Sequence, residues 1–167
     1  MTASLPASAP SDFGSALQQL GSKERLDVED MKLMILLETA GDPLYQKLAE
    51  LAPNEDAAEL LRQNGREETA HAHRLKKAIE ILTGDAYEIP PLAQNPYAAA
   101  PAFPSLSTEL LEGVAGAEAA GDAMYQRYAD HEPNVEVAEL LRQNGREETR
   151  HGERVSRVIE ILAETRA

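Results

Sequence analysis

The chain has 167 residues, enough for one domain with a substantial core. Its formal net charge of -13 repels nucleic-acid phosphates and anionic membrane surfaces, so we expect no nucleic-acid and no membrane partner. The sequence contains no cysteine, which excludes disulfides, thiolate nucleophiles, iron–sulfur clusters and cysteine-type zinc sites. Any bound metal must therefore sit on oxygen and nitrogen ligands.

The first part of the chain, residues 1–22, is rich in Ser, Ala and Pro. It lacks the basic start and apolar stretch of a signal peptide, and no apolar run in the sequence is long enough to cross a membrane. We interpret residues 1–22 as a disordered N-terminal tail and expect a cytoplasmic protein. Encapsulation or docking through this tail is left open.

Residues 23–84 predict a helical hairpin, because apolar residues follow helical spacing on both sides of a break at Pro53-Asn54. Asn54 is a suitable N-cap for the second helix. The dipeptide Asn64-Gly65 can also form a β-hairpin turn, but no strand-like alternation flanks it, which favours a continuous helix. Gly84 is typical of a helix C-terminus.

Residues 85–107 contain five prolines and predict an extended linker. A helix of about 30 residues is roughly 45 Å long. About 22 residues in a polyproline-like conformation reach roughly 68 Å. The linker is therefore long enough to cross the whole bundle, which lets the second and third helices run parallel. Ser107 or Thr108 is expected to cap the third helix.

Residues 108–167 predict a second helical hairpin that repeats the first. The eleven residues from Glu59 to Thr69 recur letter for letter from Glu139 to Thr149. Duplication of one hairpin is the simplest explanation, since two copies are too few for a solenoid. The prediction is an all-α protein: a four-helix bundle of two duplicated helical hairpins joined by a long crossover, spanning residues 23–167.

Each predicted hairpin carries one glutamate on its first helix and a Glu-x-x-His motif on its second. The two glutamates of a hairpin are thirty residues apart and equidistant from the turn, so they face each other near mid-helix. The histidine lies three residues further on the same face. These candidate metal ligands are Glu38, Glu68 and His71 in the first hairpin, and Glu118, Glu148 and His151 in the second.

Four buried carboxylates repel one another, and two divalent cations would cancel their charge. Four glutamates and two histidines are the ligand set of a two-metal site inside a four-helix bundle. Mixed oxygen and imidazole ligands suit iron or manganese better than structural zinc. A single Glu-x-x-His in an acidic helix is common and seldom binds metal, but two symmetric copies favour a site. We predict two iron ions, with manganese or a mixed metal pair as alternatives.

Two tyrosines are candidate catalytic residues. Tyr45 and Tyr125 lie seven residues after Glu38 and Glu118, two turns along the same helical face. Either tyrosine is placed to hydrogen-bond a ligand carboxylate or to pass an electron. The alternative is a buried core tyrosine with a satisfied hydroxyl.

In each predicted hairpin an aspartate lies one turn after the glutamate of the first helix. An asparagine of the second helix is expected opposite this aspartate. We expect these residues to support the ligands by hydrogen bonds; direct ligation or solvent exposure of the aspartates are the alternatives. The four residues are Asp42, Asn64, Asp122 and Asn144. Glu67 and Glu147 precede the ligand glutamates and are predicted to be surface ion-pair partners of Arg66, Arg146 or their neighbours.

With these motifs the chain resembles ferritin-like di-iron carboxylate proteins, and most of all rubrerythrin without its rubredoxin domain, over residues 25–165. In that family the equivalent glutamates and histidines bind two irons, and members reduce hydrogen peroxide or oxidise ferrous iron. The resemblance implies a di-iron oxidoreductase that reacts with hydrogen peroxide or dioxygen. The family's cysteine-bound iron domain is absent, so electrons are expected from a separate donor. The sequence departs from rubrerythrin at Gly121, where the family has an extra glutamate; Asp122 is adjacent.

Three other functions stay open at this point. The first is non-catalytic iron binding or sequestration. The second is hydroxylation of an organic substrate, which needs an apolar pocket beside the metals. The third is a structural bundle whose polar layer holds no metal. We expect the protein to form a homodimer.

Overall fold

Helices account for all the long elements of the fold. The computed structural model describes residue 6, residues 8–99 and residues 102–166, and in these ranges it contains no β-strand. One short 3-10 turn covers Leu92–Gln94. The helices are α1 (Phe13–Gly21), α2 (Val28–Glu50), α3 (Glu55–Thr83), α4 (Thr108–His131) and α5 (Val135–Arg166). The all-α prediction is confirmed. Within the described ranges, no helix is both long and apolar enough to cross a membrane.

Local capping residues set the ends of the hairpin helices. The Asn54 side chain accepts a hydrogen bond from the backbone N–H three residues later (2.9 Å) and starts α3. Asn134 starts α5 in the same way (3.1 Å). Gly84 ends α3 with a φ of 77°, a left-handed conformation that favours glycine. Helix α3 is continuous through Asn64-Gly65, so the alternative hairpin turn at that dipeptide is wrong.

The segment between α3 and α4 runs along the bundle beside α2. Asn95 donates a hydrogen bond from Nδ2 to the carbonyl oxygen of Leu36, in the middle of α2 (2.7 Å). Leu106 is buried in the same apolar cluster as Leu48, near the C-terminal end of α2. Ser107 then caps α4 (3.2 Å). The chain thus returns to the end of the bundle where α3 began, and α3 and α4 run parallel. This confirms the predicted crossover.

The core lies in two apolar clusters on either side of a polar layer. One cluster packs the N-terminal half of α2 against the C-terminal half of α3, and includes Leu75 and Leu141. The other cluster packs the C-terminal half of α2 against the N-terminal half of α3, and includes Leu61 and Val155. Burial of these apolar side chains is the main force that assembles the bundle. The candidate ligands therefore sit where the two clusters meet, at mid-height.

The prediction of a disordered tail over residues 1–22 is wrong for residues 13–21, which form α1. The Pro- and Ser-rich residues on either side of this short amphipathic helix led to the prediction of disorder. Residues 1–5 and residue 7 of the predicted tail lie outside the described residues.

Helix α1 is docked on the bundle by one apolar face. Asp12 caps it by accepting a hydrogen bond from the Ser15 backbone N–H (2.9 Å). Ala16 and Leu20 are fully buried. The Tyr128 hydroxyl on α4 donates a hydrogen bond to the Leu20 carbonyl oxygen (2.7 Å). Helix α1 therefore belongs to the folded unit.

We predict that Leu20→Ala lowers the free energy of unfolding by about 2–4 kcal/mol, because it removes a fully buried side chain and leaves a cavity. Leu17→Ala is the matched control on the same helix; Leu17 is 38 % exposed and its loss is expected to cost under about 1 kcal/mol. Urea denaturation measures both. Equal costs for the two variants would contradict the docking of α1.

Candidate metal centre

The structure brings the six candidate ligands together in one layer. Two overlapping groups form, and within each group the donor atoms lie within 4.8 Å of one another. One group consists of Glu38, Glu68, His71 and Glu148; the other consists of Glu68, Glu118, Glu148 and His151. Each group takes one histidine, and the two groups share two glutamates. All six residues are buried except Glu118, which is half-buried.

Both histidines turn the same ring nitrogen toward the centre. His71 Nδ1 lies 3.2 Å from Glu38 Oε2, whereas His71 Nε2 lies on the outer side, 3.2 Å from Glu147 Oε2. His151 repeats this orientation, with its Nε2 3.0 Å from Glu67 Oε2. A metal-binding histidine typically donates its second ring N–H to a carboxylate, which fixes the tautomer. The two Nδ1 atoms are thus the ones available to a cation.

The glutamate behind His71 is itself fixed by an arginine. Arg74 donates two hydrogen bonds to Glu147, at 2.7 and 2.9 Å, in a bidentate pair. Glu147 is only 8 % exposed. Burial raises the pKa of Glu147, but the hydrogen bonds from His71 and Arg74 outweigh burial and lower that pKa to about 2. Glu147 is therefore a charged acceptor for the outer nitrogen of His71.

The equivalent contact in the other half uses Arg154, which donates to Glu67 at 2.8 and 3.0 Å. The prediction that Glu67 and Glu147 pair with Arg66 or Arg146 at the surface is wrong. In each case the arginine comes from the opposite hairpin, which sequence spacing does not reveal. One signal was present: the repeat keeps an arginine three residues after each histidine.

Proton sharing neutralises part of the cluster's charge. Burial and the charge of Glu148 raise the pKa of Glu68 well above its usual range. Burial also raises the pKa of Glu118 to about 7. Burial opposes protonation of His151, but the surrounding carboxylates outweigh it and raise the pKa of His151 to about 12. Metal ligands must be deprotonated, so a cation that binds here would displace these protons.

Two atoms at the centre lack hydrogen bonds. Glu148 Oε2 and His151 Nδ1 are buried and have no hydrogen-bond partner, although they lie 3.3 Å apart. Their proximity without hydrogen-bond geometry places a carboxylate oxygen and an imidazole nitrogen against the same space. Buried polar atoms without partners are uncommon and need an explanation. A cation between the carboxylates and the imidazole satisfies both, so the residues present fit a metal.

Each candidate catalytic tyrosine contacts a glutamate of the other hairpin. The Tyr45 hydroxyl donates to Glu118 Oε1, and the Tyr125 hydroxyl donates to Glu38 Oε1. Both tyrosines are 1 % exposed. Burial, followed by the nearby carboxylates, raises the pKa of both phenols, so they stay neutral and act as donors. The hydrogen bond to a candidate ligand is thus present; a role in electron transfer stays a prediction.

The predicted asparagines lie beside the histidines. Asn64 donates to the carbonyl oxygen of His151 (3.2 Å) and accepts a hydrogen bond from Arg154 (3.0 Å). Asn144 donates in the same way to the carbonyl oxygen of His71 (3.3 Å). Both asparagine side chains are fully buried. They fix α3 against α5 at the height of the candidate ligands.

The predicted aspartates are placed differently from the asparagines. Asp42 is half-buried and accepts a hydrogen bond from Gln46 (3.1 Å). Asp122 accepts from Gln126 (2.9 Å) and from Thr149 (2.6 Å). No hydrogen bond in the described ranges joins either aspartate to a candidate ligand or to its predicted asparagine. Gly65, the residue after Asn64, is the one that lies against Asp42.

We predict that Arg74→Ala weakens metal binding by about 10- to 100-fold, because Glu147 loses the partner that holds it behind His71. Arg146→Ala is the matched control, since Arg146 is exposed and pairs with Glu139 on the outer face of α5. Calorimetric titration of metal-free protein with Mn²⁺ avoids oxidation during the measurement. An unchanged affinity in Arg74→Ala would show that the arginine does not support the site.

Comparison with known proteins agrees with this geometry. A family model described as Rubrerythrin matches residues 31–159, a range that contains all six candidate ligands. Neither the curated proteins nor the solved structures gave a match. The match covers most of the chain, and the fold and the buried carboxylate–histidine cluster are those expected of such proteins. The chain therefore belongs to the rubrerythrin family of ferritin-like di-iron proteins.

Proposed function

We propose that the protein is a di-iron carboxylate oxidoreductase that reacts with hydrogen peroxide or dioxygen. The observation that carries this proposal is the pair of donor groups that share Glu68 and Glu148. Each group would hold one cation through its own histidine and unshared glutamate, and Glu68 and Glu148 are within reach of both groups. Membership of the rubrerythrin family supports iron as the metal.

In this proposal each half of the site supplies one imidazole and one unshared carboxylate. His71 and Glu38 belong to one metal position, and His151 and Glu118 belong to the other. The unshared glutamates are each held by a tyrosine hydroxyl, which keeps one carboxylate oxygen occupied and orients the other. Iron, when bound, would supply the electrons that reduce peroxide or dioxygen.

The protein's own residues also control where protons are held. The Tyr45 and Tyr125 hydroxyls carry protons at the edge of the site, and their raised pKa values keep those protons in place at neutral pH. The 167 residues contain no cysteine to hold a rubredoxin-type iron, so we propose a separate electron donor. The Arg74–Glu147 and Arg154–Glu67 pairs keep both imidazoles oriented while the charge of the metal site changes.

We predict about two irons per chain in protein produced in iron-replete cells, and a new near-ultraviolet band when peroxide is added to the reduced protein. Elemental analysis and anaerobic stopped-flow absorption measure these two quantities. The absence of stoichiometric metal would contradict the proposal and leave a helical scaffold.

The variant Glu68→Ala is expected to lose metal without losing stability in the metal-free form. Glu68 is shared by both donor groups, and its raised pKa shows that its charge is unfavourable there. Glu139→Ala, on the exposed face of α5, is the matched control. If Glu68→Ala keeps two metals per chain, the ligand assignment is wrong.

A further inference from the structure

A mostly apolar pocket lies directly beside the candidate metal centre. It has a volume of about 230 Å³, lies between α2 and α4 and is half open to solvent, with residues of α1 at its rim. Its floor is formed by the four candidate ligand glutamates together with Tyr45 and Tyr125. The pocket thus reaches the same carboxylates that the proposed function assigns to the metals.

The walls of the pocket carry hydrocarbon side chains. Leu37 of α2 and both Val114 and Met124 of α4 line it. Phe13 and Leu17 of α1 cover one side of the pocket and stay 42 % and 38 % exposed. They lie on the same side of α1 as the buried Ala16 and Leu20, so the docking of α1 on the bundle holds these two side chains beside the pocket.

The pocket is larger and more apolar than hydrogen peroxide requires. A water molecule occupies about 30 Å³ in the liquid, and peroxide has only one more heavy atom. Apolar walls offer no hydrogen-bond partners to additional water molecules. An apolar cavity of about 150 Å³ is known to accommodate benzene, so this pocket has room for a group the size of a phenyl ring.

The charge of the lining restricts the ligand further. The charged residues among those that line the pocket are all glutamates. In the metal-free protein, an anionic ligand would find no basic side chain among the residues that line the pocket. A neutral molecule with one hydrocarbon end and one oxygen end matches the walls and the floor together.

We propose that this pocket binds the hydrocarbon group of a small neutral organic hydroperoxide, with its peroxide oxygens at the glutamate and tyrosine floor. This inference rests on the proposed function. The overall reaction is ROOH + 2 e⁻ + 2 H⁺ → ROH + H₂O: the O–O bond breaks, and the hydroperoxide is reduced to an alcohol and water. Two ferrous ions held by the six candidate ligands would supply the two electrons by oxidation to the ferric state, and a separate one-electron donor protein would reduce them again.

The access route passes two small residues of α4. Ala117 and Ala120 line the pocket and are exposed to solvent. A larger side chain at Ala120 would narrow the opening without replacing a buried core residue. Ala123 lies on the same helix and is also exposed, but it does not line the pocket. The pair Ala120→Leu and Ala123→Leu therefore separates loss of the pocket from a general effect on α4.

The test uses 2-phenyl-2-propanol, the neutral alcohol product of cumene hydroperoxide, as a redox-inert probe. Methyl NMR of the metal-free protein is expected to show shifts at Met34, Leu37 and Met124 when the probe is added. Ala120→Leu is expected to raise the dissociation constant at least tenfold, and Ala123→Leu to leave it unchanged. In iron-loaded protein, the ratio of cumene hydroperoxide to hydrogen peroxide turnover should fall at least tenfold in Ala120→Leu alone.

Failure of this inference and failure of the proposed function give different results. Two irons per chain without probe binding would overturn the pocket assignment and leave the proposed function intact. Probe binding that Ala120→Leu weakens, in a chain that holds no iron, would support the apolar pocket and contradict the proposed function. A wild-type dimer that excludes the probe and dissociates in Ala120→Leu would assign this face to a second copy of the chain, and would also overturn the inference.

Discussion

The structure depends on four glutamates, three buried and one half-buried, that lie in one layer at the middle of a helical bundle. Carboxylates removed from water are costly unless they are paired, and four together also repel one another. The raised pKa of Glu68 expresses that cost in the metal-free protein. Two features of the rest of the chain offset this cost. The apolar clusters above and below the glutamate layer stabilise the bundle, and the polar residues of the layer compensate the charge of the glutamates.

The negative charge of the central glutamates is compensated by a series of contacts that leads outward from the site. The imidazoles of His71 and His151 lie between the inner carboxylates and an outer glutamate, and each outer glutamate is held by an arginine. These outer pairs cross from one hairpin to the other, so the contacts that orient the histidines also join the two halves. Two cations in the centre would complete the same arrangement by replacing protons. Stability and metal binding are thus coupled through the same side chains.

Features encoded locally were predictable from the sequence, whereas those that depend on distant partners were not. Helix ends followed from single residues such as Asn54. The positions of the four candidate ligand glutamates followed from their equal distance to the turns, and those of the two histidines from their three-residue spacing. The prediction of a surface ion pair for Glu147 was wrong because its partner, Arg74, lies on the other hairpin. Helix α1 was missed because Leu20 becomes buried only against remote parts of the chain, including Tyr128. The apolar pocket arises from the packing of five helices, and no spacing along one helix reveals it.

The most direct test of the account is a crystal structure of the iron-loaded protein with anomalous scattering measured at the iron edge. We predict two anomalous peaks about 3.5–4 Å apart, the separation typical of two-metal sites. One peak should lie at His71 Nδ1 and the other at His151 Nδ1, with Glu68 and Glu148 contacting both. A single peak, no peak, or iron bound away from these six side chains would contradict it.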